Sequence, residues 1–199
     1  MASIRRPDKR PGRERTGTVS GADDRGSRHP PSYWVRSFAG LVPAGGPVLD
    51  LACGGGRHAR LFLALGHKVT ALDRDLAGLA DIAGAAGLET VAADLEAGRP
   101  WPLGERRFAG VVVVNYLHRP LFPAIVAAVA PGGVLIYETF AVGNERFGRP
   151  HNPDHLLRPD ELIAAVAGHL DVIAYENLEL SEPRPAMVQR IAAARPVAA

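Results

Sequence analysis

Three consecutive glycines, Gly54, Gly55 and Gly56, interrupt a stretch that reads PVLDLACGGGRHARLFLALGHKVTALD from Pro47 to Asp73. Val48, Leu49 and Leu51 form an apolar run before them. Ala59, Leu61, Phe62 and Leu65 recur at helical spacing after them, and a second apolar run ends on Asp73. This is the pattern of a strand, a tight turn, a helix and a second strand. Glycines belong in such a turn because a Cβ would block both the bend and the close approach of a ligand to the backbone. Asp73 stands 19 residues beyond Gly54, the spacing at which an acid after the second strand holds a ribose. The unit predicts a protein that binds a nucleoside-containing cofactor.

The same alternation continues. Strands are predicted at 47–52, 68–73, 89–93, 108–115 and 133–140. Helices are predicted between them at about 57–66, 76–86 and 120–130, with Asp75 capping the second and Pro131-Gly132-Gly133 ending the third. Val111–Val114 and Val134–Tyr137 are apolar on both faces, as central strands covered on both sides should be. The expected fold is α/β, a doubly wound, mostly parallel sheet. Residues 170–177 and 187–194 read as two more strands. The linker between them is too short for a helical crossover, so they should pair as an antiparallel terminal hairpin. A helix starting near Pro159 should run to about Ala167. Ser32–Leu41 reads as a short helix capped by Ser32, whose Tyr33 and Trp34 either close over the cofactor or pack on the sheet.

The N-terminal 28 residues contrast with all this. They hold eight Lys or Arg against four Asp or Glu and almost nothing apolar, whereas the remainder holds 15 basic against 17 acidic residues. The expectation is a disordered basic tail over 1–28, dispensable for folding, and a single domain over 29–199. The mildly acidic remainder offers no general surface for nucleic acid. No apolar run reaches the roughly 18 residues of a membrane span, and no signal-peptide core is evident. The single Cys53 fits a reducing compartment, so a cytoplasmic protein without membrane partners is expected.

Gly54-x-Gly56-x-x-Ala59 formally matches a dinucleotide fingerprint, which is weak evidence alone. Two acids point away from a dinucleotide. Asp50 lies on the first strand just before the glycine turn, where a carboxylate would repel a pyrophosphate but attract a sulfonium or ammonium. Asp94 ends the third strand, where it suits an adenine amino group with Leu95 against the ring. A nicotinamide-dependent oxidoreductase is therefore the weaker alternative, and a non-catalytic nucleotide-binding module is the other.

Val48–Gly56 (VLDLACGGG), Val69–Asp73 (VTALD), Ala93-Asp94-Leu95 and Pro131–Tyr137 (PGGVLIY) together resemble the class I S-adenosylmethionine-dependent methyltransferases. The segment Asp50–Ala59 followed by Gly66–Thr70 is most similar to the small tellurite-resistance-type members. Ala52-Cys53 departs mildly from the motif, which often has glycine before the cysteine. The resemblance covers about residues 32–195. It implies a Rossmann-like seven-stranded sheet with its last strand reversed and S-adenosyl-L-methionine as cofactor. It also implies site roles. Asp50 and the backbone of Ala52, Gly54 and Gly56 would hold the amino acid end, and Asp73 the ribose hydroxyls. Arg74 would flank the adenine, Asp94 and Leu95 would bind it, and Asn115 would face the methyl donor.

The acceptor side is less constrained. Methyl displacement needs alignment and dryness, and needs a base only if the acceptor loses a proton. Tyr116 and His118 after the fourth strand, and Glu138 at the end of the fifth, are the catalytic candidates, although His118 could equally cap the following helix. The long segment 141–157, with Asn144, Arg146, Arg149, His151, Asn152 and His155, reads as a mobile acceptor lid. Its arginines favour an anionic small molecule. No metal is expected: His151 and His155 are spaced like helical ligands, but Pro153 lies between them. The run Asn115-Tyr116-Leu117-His118 lacks the Asn-Pro-Pro-aromatic signature of amino-methylating enzymes.

Overall fold

The computed structural model describes residues 29–197, so the tail expected over 1–28 lies outside the described residues. The chain forms one seven-stranded sheet in the order β3-β2-β1-β4-β5-β7-β6. The strands are β1 (Val48–Leu51), β2 (Val69–Asp73), β3 (Leu88–Ala92), β4 (Phe108–Val114), β5 (Val129–Phe140), β6 (Asp171–Leu180) and β7 (Ala186–Ala194). Strands β1 to β5 pair in parallel, and β7 runs antiparallel between β5 and β6. The helices are α1 (Tyr33–Phe38), α2 (Arg57–Ala64), α3 (Phe122–Ala127) and α4 (Glu161–Val166).

The period-2 alternation of strand side chains divides the core into two layers. Leu49, Leu51, Val111, Val113, Leu135 and Tyr137 face α3 and α4, packing with Ile125, Val126, Leu162 and Val166. Val48, Val112, Val114, Val134 and Ile136 face the other way, against Trp34 and Val35 of α1 and Ala59 and Phe62 of α2. Every residue of β1 and β4 is buried, which is why these strands are continuously apolar apart from Asp50. Residues whose chemistry is used must then stand at the strand ends.

Three elements differ from expectation. The helix predicted over 76–86 is only a 3-10 run, Ala77–Ile82. Gly78 and Gly84 weaken a helix there, and Gly78 packs so tightly that a Cβ on it would lie 2.8 Å from Gly55 Cα. The helix predicted over 120–130 shortens to Phe122–Ala127 after a 3-10 turn at Arg119–Leu121, because Pro120 and Pro123 supply no amide donors in the first turns. Pro131-Gly132-Gly133 therefore does not end that helix; it lies inside β5, where the register against β4 shifts. Gly133 is required there, since a Cβ would meet the Phe108 carbonyl at 2.8 Å. Pro159 precedes α4, and Asp160 stands at its N-cap position in the left-handed region at φ 57°, without a side-chain cap hydrogen bond.

Helix α1 docks through polar contacts. The Ser32 hydroxyl accepts from the Trp34 and Val35 amides, as the sequence predicts, and also donates to Glu138 Oε1 at 2.7 Å. Glu138 Oε2 accepts from Arg190 at 3.3 Å, and the Arg190 guanidinium lies 4.7 Å over the Trp34 ring. The Trp34 indole donates to the Ile191 carbonyl at 3.1 Å. Trp34 thus packs on the sheet, whereas Tyr33 is exposed. Replacing Ser32 with Ala removes the cap and one partner of the buried Glu138. A loss of about 1–2 kcal/mol in unfolding free energy is expected, measured by chemical denaturation.

Candidate functional site

The chain reaches the top of the sheet through a turn that few residues can make. Ala52, Gly54 and Gly56 have φ of 52°, 50° and 72°. The turn is held from the neighbouring strand. Gly54 N–H donates to Asp73 Oδ2 at 2.8 Å, and Asp73 Oδ1 accepts from the Asp75 amide at 3.1 Å. One carboxylate at the end of β2 therefore fixes both the glycine turn and its own following turn. The 3-10 run closes from the far side. Arg60 of α2 donates to the carbonyls of Gly55 and Gly78 and pairs with Asp81.

These turns enclose a cavity of about 490 Å³ at the carboxyl ends of β1 to β4. This is where the order of strands reverses, the usual ligand position in such sheets. Its wall includes Ala52, Gly54, Asp73, Arg74, Asp94, Leu95, Asn115 and Tyr116. Eight of the residues singled out in the sequence are thus brought together. Asn115 takes a left-handed φ of 58°, and its amide donates to the Glu138 carbonyl at 2.9 Å. The Tyr137 hydroxyl donates to the Tyr116 carbonyl at 2.8 Å, fixing the turn after β4. Asp94 accepts from the Glu96 amide at 2.9 Å.

Four sequence candidates stand off the wall. Asp50 is 1% exposed and its Oδ2 accepts from Ala59 N–H at 2.8 Å, so it holds the start of α2 from beneath. Gly56 turns its amide to the Cys53 carbonyl, and a Cβ there would strike Leu79 at 2.1 Å; packing, not ligand approach, requires this glycine. Glu138 is held by Ser32 and Arg190. His118 precedes a 3-10 turn without capping it. Conversely, the wall gains Asp75, Gly78 and Glu96, and it includes Ala93 of the Ala93-Asp94-Leu95 motif and His155 of the long loop expected beside the acceptor. Asp75 and Glu96 each lie two residues beyond a predicted acid, a signal the sequence did carry. Gly78 arrives only through tertiary packing.

The 141–157 segment is more tied down than a mobile lid. Ala141 and Leu157 form a parallel bridge. Asn144 is 2% exposed and accepts from the Met187 amide. Arg146 turns outward to Glu179 at 3.0 Å, and neither it, Arg149 nor His151 is on the wall. The predicted cationic inner face is absent from the cavity.

Charge decides what the cavity suits. Asp73, Asp75, Asp94 and Glu96 face it, against Arg74. A pyrophosphate would meet mostly like charge; a cationic ligand with ribose hydroxyls would not. Space is open over Gly54, where an added Cβ would meet nothing within 4 Å. The donor set and the open turn fit S-adenosylmethionine. Beneath the floor, burial raises the Cys53 thiol's pKa, with Asp50 adding to it, so the thiol stays protonated and unreactive. Burial foremost, then Glu96 and Asp94, raises the pKa of Tyr116, whose buried hydroxyl has no hydrogen-bond partner. Among the described residues, no cluster of His, Cys, Asp or Glu is placed to hold a metal, and no helix is long and apolar enough to cross a membrane.

Residues 48–133 match the family described as Methyltransferase domain. The structure superimposes on TehB from Haemophilus influenzae with a TM-score of 0.63 and 18% identity, covering 81% of this chain and 61% of that one. It also resembles the glycopeptide N-methyltransferase MtfA in complex with S-adenosylhomocysteine (TM-score 0.57, 24% identity, 81% and 88% covered). A third similar structure is Burkholderia thailandensis 1,6-didemethyltoxoflavin-N1-methyltransferase (TM-score 0.59, 20% identity, 82% and 79% covered). No curated protein matches the chain by sequence. The fold is that of the class I S-adenosylmethionine-dependent methyltransferases. Residues 48–133 of this fold are the part that matches the methyltransferase domain.

The buried pair under the turn generates a prediction. Burial raises the Asp50 pKa to about 7 against the opposing Ala59 amide, and lowers that of His58 to about 3. His58 Nε2 accepts from the Ser32 amide at 3.2 Å, which leaves the neutral ring's proton on Nδ1, 3.9 Å from Asp50. The folded state holds the Asp50 proton more tightly than the unfolded chain does. Its contribution is present below about pH 4 and lost as pH rises toward 7. Asp50→Asn keeps an acceptor for Ala59 and has no proton to lose. Its stability relative to wild type should rise from pH 5 to pH 8, at about 1.4 kcal/mol per pH unit until about pH 7 and little beyond. Urea unfolding at the two pH values measures this.

Proposed function

We propose that the protein transfers a methyl group from S-adenosylmethionine to a small-molecule acceptor. The observation that carries the reading is the acid-lined cavity over the open Gly54 turn, with Asp73 and Asp94 at the ends of adjacent strands. In this reading Asp73 takes the ribose hydroxyls, since a carboxylate accepts from two neighbouring donors at once. Asp94 and Leu95 take the adenine, and Arg74 flanks it. The backbone of Ala52 and Gly54 meets the amino acid end, and Asn115 borders the reacting end. Asp50 acts from below by fixing the turn and α2.

The cofactor, when bound, supplies an electrophilic methyl group on sulfur, open to direct displacement by an acceptor lone pair. The protein's part is to position the acceptor and exclude water. Tyr116 contributes a neutral phenol on the wall, a hydrogen-bond donor rather than a base. The glycopeptide and toxoflavin acceptors in the names of two similar structures support a small or medium-sized acceptor here. Arg146 turns outward to Glu179 and neither it nor Arg149 lines the cavity, so the loop arginines give no support to the anionic acceptor predicted from them. The single buried Cys53 supports a cytoplasmic protein.

Asp73→Ala should weaken S-adenosylhomocysteine binding by roughly 1–3 kcal/mol, the range for losing a charged hydrogen-bonding partner. Isothermal titration calorimetry on the folded variant checks it. Unchanged affinity would remove Asp73 from the ribose role.

A further inference from the structure

Among the described residues, His155 is the single one that the chain beyond β5 contributes to the cavity wall. The nucleoside-suited acids Asp73, Asp75, Asp94 and Glu96 come from the ends of β2 and β3, at one side. His155 comes from the opposite side, past β4 and β5. It is exposed and sits in a short 3-10 turn, Pro153–His155. A residue so placed would wander unless something held its backbone.

Arg119 does this. Its Nη1 donates to the Asp154 carbonyl at 2.7 Å and its Nη2 to the Leu156 carbonyl at 2.8 Å, the residues on either side of His155. The remaining donors grip Glu161 at the start of α4: Nε to Oε1 at 2.6 Å and Nη2 to Oε2 at 2.9 Å. Glu161 Oε2 also accepts the Arg158 amide at 2.8 Å. A guanidinium is planar and rigid, so two carbonyls bound to one such group fix the twist of the peptides between them. Arg119 follows Tyr116 by three residues on the connection out of β4. It therefore sets the separation between two parts of the wall, Asn115-Tyr116 and His155.

We infer that His155 is the acceptor-facing residue of the cavity and that the Arg119–Glu161 pair is its positioning device, setting the width of the acceptor end. This rests on the methyltransferase reading above. The turn has its own support: Asn152 caps it, His155 N–H donates to the Asn152 carbonyl, and Leu156 and Leu157 are buried. Loss of Arg119 displaces the turn rather than melting it. A lysine at 119 keeps the charge but cannot span two carbonyls and a carboxylate.

The test uses the full chain with carbon-labelled histidine, its ring resonances assigned through single His→Gln variants and followed by NMR. S-adenosylhomocysteine is the probe, and its affinity is measured in parallel by calorimetry. In wild type the probe shifts the His155 ring resonance, while that of His151, on the same loop but off the wall, stays in place. In Arg119→Lys the probe binds with nearly unchanged affinity, but the His155 resonance moves in the free protein and loses most of its probe-induced shift. Glu161→Gln gives the same change to a smaller degree and stands in if the lysine variant does not fold. A His155 resonance and probe response identical to wild type in the variants would overturn the inference, even if the melting temperature fell, because the pair would then be only a structural tie. Probe binding that leaves His155 unshifted in wild type would also overturn it while leaving the methyltransferase reading intact. Failure of wild type to bind the probe at all would defeat both, and calorimetry distinguishes that case.

Discussion

The bond from Gly54 N–H to the Asp73 carboxylate, at 2.8 Å, is the constraint on which the rest of the site depends. It ties the turn after β1 to the end of β2, so the two strand ends that frame the cavity cannot drift apart. Around it, each neighbouring turn is fixed by one polar side chain. Asp50 holds the start of α2, Arg60 holds the 3-10 run against Gly55, and Tyr137 holds the turn after β4. Preorganised backbone of this kind lets a ligand bind without first paying to order the loops.

The acids divide into two populations by burial. Asp73, Asp75, Asp94 and Glu96 face the cavity and set its sign. Asp50 and Glu138 are sealed beneath it, where they act on backbone and on α1. A buried carboxylate without partners is expensive, and both have partners. Asp50 has the Ala59 amide, and Glu138 has Ser32 and Arg190. The N-terminal helix is thus coupled to the core through the floor of the site, and Trp34 contributes packing rather than ligand contact.

The parallel sheet, the reversed last strand and the cluster of residues at the strand ends were legible because they depend on local signals. Glycines at positive φ, apolar runs and acids at strand ends are all fixed by near-neighbour sterics and periodicity. That Asp73, Asp94, Leu95 and Asn115 stand together on one cavity wall was readable for that reason. Asp50 was read as a ligand contact because sequence shows an acid at a strand end but not which way it points. One residue earlier than the strand's last places it under the turn instead of in it. The helix over 76–86 failed because Gly78 answers to a neighbour, Gly55, that is distant in sequence. The 141–157 segment looked mobile because its anchors, Asn144 to Met187 and Arg119 to Asp154 and Leu156, span 43, 35 and 37 residues.

The acid-lined cavity at the ends of β1 to β4 is the S-adenosylmethionine site proposed above. A crystal structure of the protein grown with S-adenosylhomocysteine tests it most directly. The account predicts the ligand in this cavity, its ribose hydroxyls on Asp73, its adenine beside Asp94 and Leu95, and its sulfur toward Asn115. A ligand bound elsewhere, or in this cavity with Asp73 and Asp94 making no contact to the nucleoside, would contradict it.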